Sequence, residues 1–277
     1  MSEYQYYEFQ AIDRSLTPEE QAAVAALSSR TEPHPWRAVF TYSWSDFPGN
    51  AREILAEYYD ALLYLANWGS RELMFRFPRD LVDLDQLQSY GVETTDYPSD
   101  VITISTHGEY AVLDIRLDAE QGLGWIEGEG RLGTLLELRE ALLRGDLRVL
   151  YLAWLKGITL VDDVDEEALE PPIPPGLDEL TLALDAFVEL FDVDPVMIRA
   201  AARRGPELET SAISEEALRQ AIADLPPEEK EVFLLRLAKG EPHLSLALNR
   251  RLGTLGHVPS PEGVDRYTVG RVLRRWR

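Results

Sequence analysis

The spacing of apolar residues changes period several times in the first third of the chain. Residues 4–12, "YQYYEFQAI", carry enough aromatic and β-branched side chains to predict a strand. Its alternation puts Tyr4, Tyr6 and Glu8 on one face and Gln5, Tyr7 and Phe9 on the other. In "LTPEEQAAVAALSS", Thr17 stands as an N-cap, Pro18 takes the first helical position and Glu20 completes a capping box, so a helix starts there. "WRAVFTYSW", residues 36–44, predicts a second strand. After the Pro48-Gly49-Asn50 turn, Ile54, Tyr58, Leu62 and Leu65 recur at helical spacing, with Leu55, Tyr59 and Ala66 beside them. They predict one largely buried helix over 51–68. "ELMFRF" then predicts a strand.

A short acidic helix or loop in "DLVDLDQLQSY" precedes a hairpin. There "VITIST" and "YAVLDIRL" alternate with period two around "HGE", where Gly108 can supply a positive φ. Beyond it the pattern is helical. "LGTLLELREALLRGD" and "LRVLYLAWLKG" predict two helices joined at Gly145-Asp146, with Leu-rich faces suited to antiparallel packing. Acidic residues and then Pro171, Pro172, Pro174, Pro175 and Gly176 follow, a composition that forms neither helix nor central strand.

That stretch predicts a boundary. The fold expected is α+β, with a mixed β-sheet and covering helices in a first domain over 1–163. An acidic and Pro-rich linker over 164–176 then leads to an all-α domain over 177–277. Its helices are "LDELTLALDAFVELF", with Leu180, Leu184, Phe187 and Phe191 on one face, then "PVMIRAAARR", "SEEALRQAIADL", "PPEEKEVFLLRLAKG", "HLSLALNRRLG" and "RYTVGRVLRRWR".

Charge narrows the partners. The 49 acidic residues against 27 basic ones leave a formal charge of −22, which repels polyanions and disfavours nucleic acid or an anionic membrane. The absence of cysteine excludes disulfides and thiolate metal sites and fits a cytoplasmic location. No basic segment followed by an apolar one opens the chain, and every apolar run stops short of the ~20 residues a membrane helix needs.

"GEGRLG", residues 128–133, matches the dinucleotide fingerprint, but "QGLGWIE" before it is not a core strand, and Glu127 and Glu129 would repel a pyrophosphate. It reads as a loop opening a helix. The cluster Asp162, Asp163, Asp165, Glu166 and Glu167 lacks the glycine and final glutamate of a calcium loop, so it reads as solvated charge. His34, His107, His243 and His257 have no helical metal-pair spacing. No hydrolase elbow, zinc-protease motif or P-loop is present, so no catalytic, cofactor or metal residue is assigned. With no Lys or Arg before Arg14, the aromatics of the first strand read as packing rather than a base-stacking platform; any that stay exposed would mark a protein contact.

"DLPPEEKEVFLLRLAKG" is similar to the start of the fourth region of bacterial sigma factors, and "YTVGRVLRRWR" to the recognition helix of that region. The intervening residues 241–265 depart from the pattern, lacking its short turn. Arg266, Arg271, Arg274, Arg275 and Arg277 follow Asp265 without an acid, so phosphate contact is chemically open to them. Across most of its length the chain resembles a family of uncharacterised bacterial proteins, through "YQYYEFQAIDRSLTPEE", "LANWGSRELMFRFP", "YLAWLKG", "EPPIPPGLDEL" and "LPPEEKEVFLLRLAKGEPHL". That resemblance implies no activity.

These features favour a non-enzymatic protein–protein interaction module, or a subunit of a bacterial complex, that takes a protein partner and no cofactor. The partner-binding residues expected are Tyr4, Tyr6, Arg271, Arg274, Arg275 and Trp276. The alternatives are an enzyme whose carboxylates meet only in the fold, and DNA binding through the C-terminal arginines.

Overall fold

A computed structural model of the 277-residue chain describes residues 3–28, 31, 33–43, 47–92, 101–118, 127–160, 164–206, 214–253 and 266–276. Six strands form its sheet: β1 (Gln5–Gln10), β2 (Arg37–Tyr42), β3 (Ala61–Ala66), β4 (Ser70–Pro78), β5 (Ile102–His107) and β6 (Tyr110–Asp118). Their order is β2-β1-β3-β4-β6-β5, and every pair is antiparallel. Between the strands lie α1 (Pro18–Ala25), α2 (Ala51–Tyr58) and α3 (Leu84–Gln88). Then come α4 (Arg131–Leu143), α5 (Arg148–Leu160), α6 (Leu182–Phe191), α7 (Pro195–Ala202), α8 (Glu215–Asp224), α9 (Pro227–Ala238), α10 (Leu244–Arg251) and α11 (Val269–Trp276). The fold is α+β with a helical C-terminal region, as the pattern predicts, but the sheet is antiparallel throughout rather than mixed, because its neighbours pair without parallel crossovers.

Both faces of the sheet are covered. Tyr6, Leu63, Leu65, Phe75 and Ile115 face the helical layer built from α4 to α7. On the other face, Tyr7, Phe9, Phe40 and Leu62 pack with Val24 of α1, Leu55 of α2, Phe47 and Tyr59. The Tyr7 ring lies 4.5 Å from that of Tyr64 and 4.9 Å from that of Phe47, so the aromatics of β1 serve packing on both sides.

Double coverage explains the main departure from the expected elements. The helix expected over 51–68 stops at Tyr58, and β3 follows, buried at every position. A strand buried on both faces is a continuous apolar run, which periodicity cannot tell from a buried helix. The start was legible, because the Asn50 side chain accepts from the N–H groups of Arg52 and Glu53. The stop is set by Asp60, whose Oδ2 accepts from the N–H groups of Ile12 and Asp13 at 2.6 and 3.0 Å.

Elsewhere α4 lies chiefly against α6, because α5 is apolar nearly all round and takes the centre of the layer. The second half of segment 164–176 is buried rather than solvated: Glu170 is wholly enclosed and Ile173 joins the core. One apolar cluster runs from the sheet through α4–α7 to Leu246 of α10 and Val269 of α11.

Candidate interaction surface

Helices α8 and α9 form an arm whose ends are set locally. Ser214 caps α8, its Oγ accepting from the Ala217 N–H at 3.2 Å, and Glu215 and Glu216 complement the helix dipole. Pro227 opens α9 above Glu228 and Glu229, and Gly240, at φ +69°, follows its C-cap. Arg251 of α10 holds Glu229 of α9 at 2.7 and 2.9 Å. In turn α10 is tied to the body: Arg250 donates to the carbonyls of Asp80 and Leu81 at 2.9 and 2.6 Å, and His243 Nε2 lies 2.7 Å from Asp13 Oδ1.

Neither helix contributes a buried side chain, and only Leu225 at their junction, 6% exposed, is enclosed. Leu234 and Leu237 are 65% and 64% exposed, and Val232 and Leu235 are more than half exposed beside them. A helix apolar on nearly every side normally sits inside a protein. A contiguous apolar surface in the open marks a contact site. Glu228, Glu231 and Lys239 are exposed around these residues and form no ion pair among the described residues.

The expected partner residues lie elsewhere. Tyr6 is 3% exposed in the core and donates to Glu8 Oε2 at 2.8 Å, and Tyr4 is half-buried against the same cluster. Arg271 stacks on the Tyr267 ring, 3.7 Å from its centroid, with Arg204 stacked 4.2 Å from the same ring. Arg274 lies 3.4 Å from Glu166. The side chains of Arg275 and Trp276 lie outside the described residues, as does Arg277.

The C-terminal segment is held by Glu170. Its carboxylate accepts from the Arg204 guanidinium, from the Tyr267 N–H at 2.7 Å and from the Tyr151 hydroxyl at 3.2 Å. Arg266 Nε donates to its carbonyl at 2.6 Å.

Carboxylates do meet in the fold where the sequence did not reveal it, at Asp13 and Asp60 on Arg139 and at a second pair on the sheet. Glu72 of β4 and Asp114 of β6 sit on neighbouring strands, each buried. Burial and the Asp114 charge push Glu72 up to about 8, while Asp114, also raised by burial, is held as a pair with Arg52 of α2. The clefts of about 390, 630 and 620 Å³ are lined by other residues.

Two of the three glycines of "GEGRLG" have structural duties. A Cβ on Gly128 would lie 2.3 Å from a ring carbon of Tyr6, and Gly130, at φ +79°, is the left-handed N-cap of α4. Glu127 and Glu129 line the cleft beside them. Among the described residues no three His, Asp or Glu side chains are grouped to hold a metal. Asp162, Asp163 and His257 lie outside those residues. No helix among the described residues is long and apolar enough to cross a membrane.

No family model matches the chain, and no curated protein or solved structure matches it either. The residues missed by sequence reasoning are the leucines of α9. Their signal was present in "EVFLLRLA", which is apolar on more than one helical face, but such a run reads equally as core.

Proposed function

We propose that the chain is a protein–protein interaction module whose contact element is α9. One observation carries this reading: Val232, Leu234, Leu235 and Leu237 stand exposed on an arm that is itself anchored by ion pairs and carbonyl contacts through α10. A rigidly held helix with apolar side chains open on two sides, Val232 with Leu235 and Leu234 with Leu237, is what a partner groove or helix takes up. The Glu72–Asp114 pair has the separated carboxyl environments of an acid/base couple, which is the enzyme reading, but none of the clefts above opens on it.

The test places a photo-crosslinking residue at position 235 of the full chain, with exposed Arg144 as the control position. Irradiation in an extract of the source cells should give a discrete protein adduct from 235 that Val232→Asp removes. Equal adducts from both positions, or none, would overturn the reading.

A further inference from the structure

We infer that the occupant of α9 is a second copy of this chain, paired antiparallel along α9 about a twofold axis midway between Val232 and Leu235. This rests on the reading of α9 as the contact element and adds what covers it.

A twofold contact requires a surface complementary to itself. The open side of α9 has that arrangement. Glu228, Glu231, Val232, Leu235 and Lys239, spaced i, i+3, i+4, i+7 and i+11, form one stripe, with the exposed glutamates at its N-terminal end, Val232 and Leu235 at its centre, and exposed Lys239 just past its C-terminal end. An antiparallel pair that sets Val232 against Leu235 of the second copy places Glu228 opposite Lys239, and the symmetry repeats both contacts.

The other charges of α9 are already used within the chain. Glu229 pairs with Arg251, Arg236 with Glu241, and Lys230 donates to the Ala223 carbonyl at 2.8 Å. Of the charges left without an intrachain ion pair among the described residues, such a pairing joins Glu228 to Lys239. A basic helix from another protein would satisfy Glu228 and Glu231 but set a like charge against Lys239, which counts against it.

The contact is short. Twelve residues of helix span about 18 Å. Two such helices with their flanks bury on the order of 1,000 Å², the size of a weak, reversible dimer.

Sedimentation equilibrium of the full chain, from low to high micromolar concentration at physiological salt, tests this. The expected result is a monomer–dimer equilibrium that Leu235→Asp abolishes. Lys239→Glu should weaken it about 10-fold by facing Glu228 with a like charge. Glu228→Lys combined with Lys239→Glu should restore it to within about 3-fold of the parent, since the pairs reform with reversed sign.

Circular dichroism should be unchanged in all variants, because none of these side chains is buried. A monomer at every concentration overturns the second copy as occupant; the adducts from position 235 then decide the interaction reading separately. A dimer indifferent to Leu235→Asp, or one that the double reversal fails to restore, overturns the α9 geometry.

Discussion

Arg139, in the middle of α4, closes on Asp13, 126 positions earlier, through two parallel contacts of 2.8 Å. Its Nε donates to the Arg76 carbonyl at 2.8 Å, and Arg76 is itself paired with Asp60 at 2.8 Å. Asp60 accepts from the N–H groups of Ile12 and Asp13, and His243 approaches Asp13 from the start of α10. This buried network joins the end of β1, the helical layer and the base of the α8–α9 arm.

Arg139→Met should therefore be costly. It leaves Asp13 and the Arg76 carbonyl without their donor, a loss of about 3–5 kcal/mol for a broken buried pair. Arg139→Lys should recover only part of that, because an ammonium cannot make the two-pronged contact. Urea denaturation measures both, and a loss below about 1 kcal/mol for the Met variant would refute the network's role.

Acid should attack the same network. Burial pushes the Asp13 carboxyl up, but the close approach of His243 and the hydrogen-bonded Arg139 guanidinium outweigh it and hold the group down at about 2, below its ordinary 3.8. A depressed carboxyl stabilises the fold above its unfolded value and loses that contribution as pH falls through the folded one. Stability should drop between about pH 4 and pH 2, and Asp13→Asn should flatten that part of the profile.

Glu72 works in the opposite direction. Its folded value of about 8 lies above the ordinary 4.5, so between those limits the folded state binds the extra proton. Stability then falls as pH rises from about 4.5 to about 8 and levels off beyond. Glu72→Gln keeps the shape without the charge and should be more stable than the parent at pH 9 while matching it near pH 4. Parallel profiles for the two proteins would show that Glu72 does not carry the proton.

The parts of this fold that depend on neighbouring residues were legible in the chain, and those that depend on distant ones were not. Thr17 and Glu20 form the expected reciprocal cap, with contacts of 3.2 and 2.8 Å, because three residues suffice to build it. Gly108 turns the β5–β6 hairpin at φ +60° for the same reason. The β3 strand was misread because its apolar run answers to two covering layers at once, and neither layer is encoded nearby. The Arg139–Asp13 and Glu72–Asp114 contacts join residues far apart in sequence, where spacing carries no signal. For α9, the apolar pattern was visible but its exposure was not, since burial depends on what the rest of the chain leaves uncovered.

The C-terminal segment should be detachable by one substitution. A Cβ on Gly270 would lie 2.9 Å from Glu166 Cβ, which no side-chain rotation relieves, and the Gly270 N–H donates to the Glu166 carbonyl at 3.0 Å. Gly270→Val should lift residues 266–274 away from Glu166 and Glu170, leaving Glu170 with Arg204 and Tyr151 alone. Hydrogen exchange should then rise at the Tyr267 and Val269 amides, which donate to Glu170 and to the Ala168 carbonyl, while the sheet stays protected. Unchanged exchange at both amides would mean the segment tolerates the extra carbon.

Substitutions in the two leucine populations should separate cleanly. Leu135 of α4 is buried in the main cluster, and Leu135→Ala removes its contacts at a cost of about 2–5 kcal/mol. Leu234 and Leu237 are 65% and 64% exposed, so Leu234→Ser with Leu237→Ser should change unfolding free energy by no more than about 0.5 kcal/mol each. The comparison belongs at low protein concentration, because any association through α9 would add its own concentration-dependent stability. The same double variant should bind less of a dye that reports exposed apolar surface, since it removes the most exposed leucines of the arm. A large loss of stability in the double variant would show that α9 is packed inside the molecule, and the contact surface would have to be sought elsewhere.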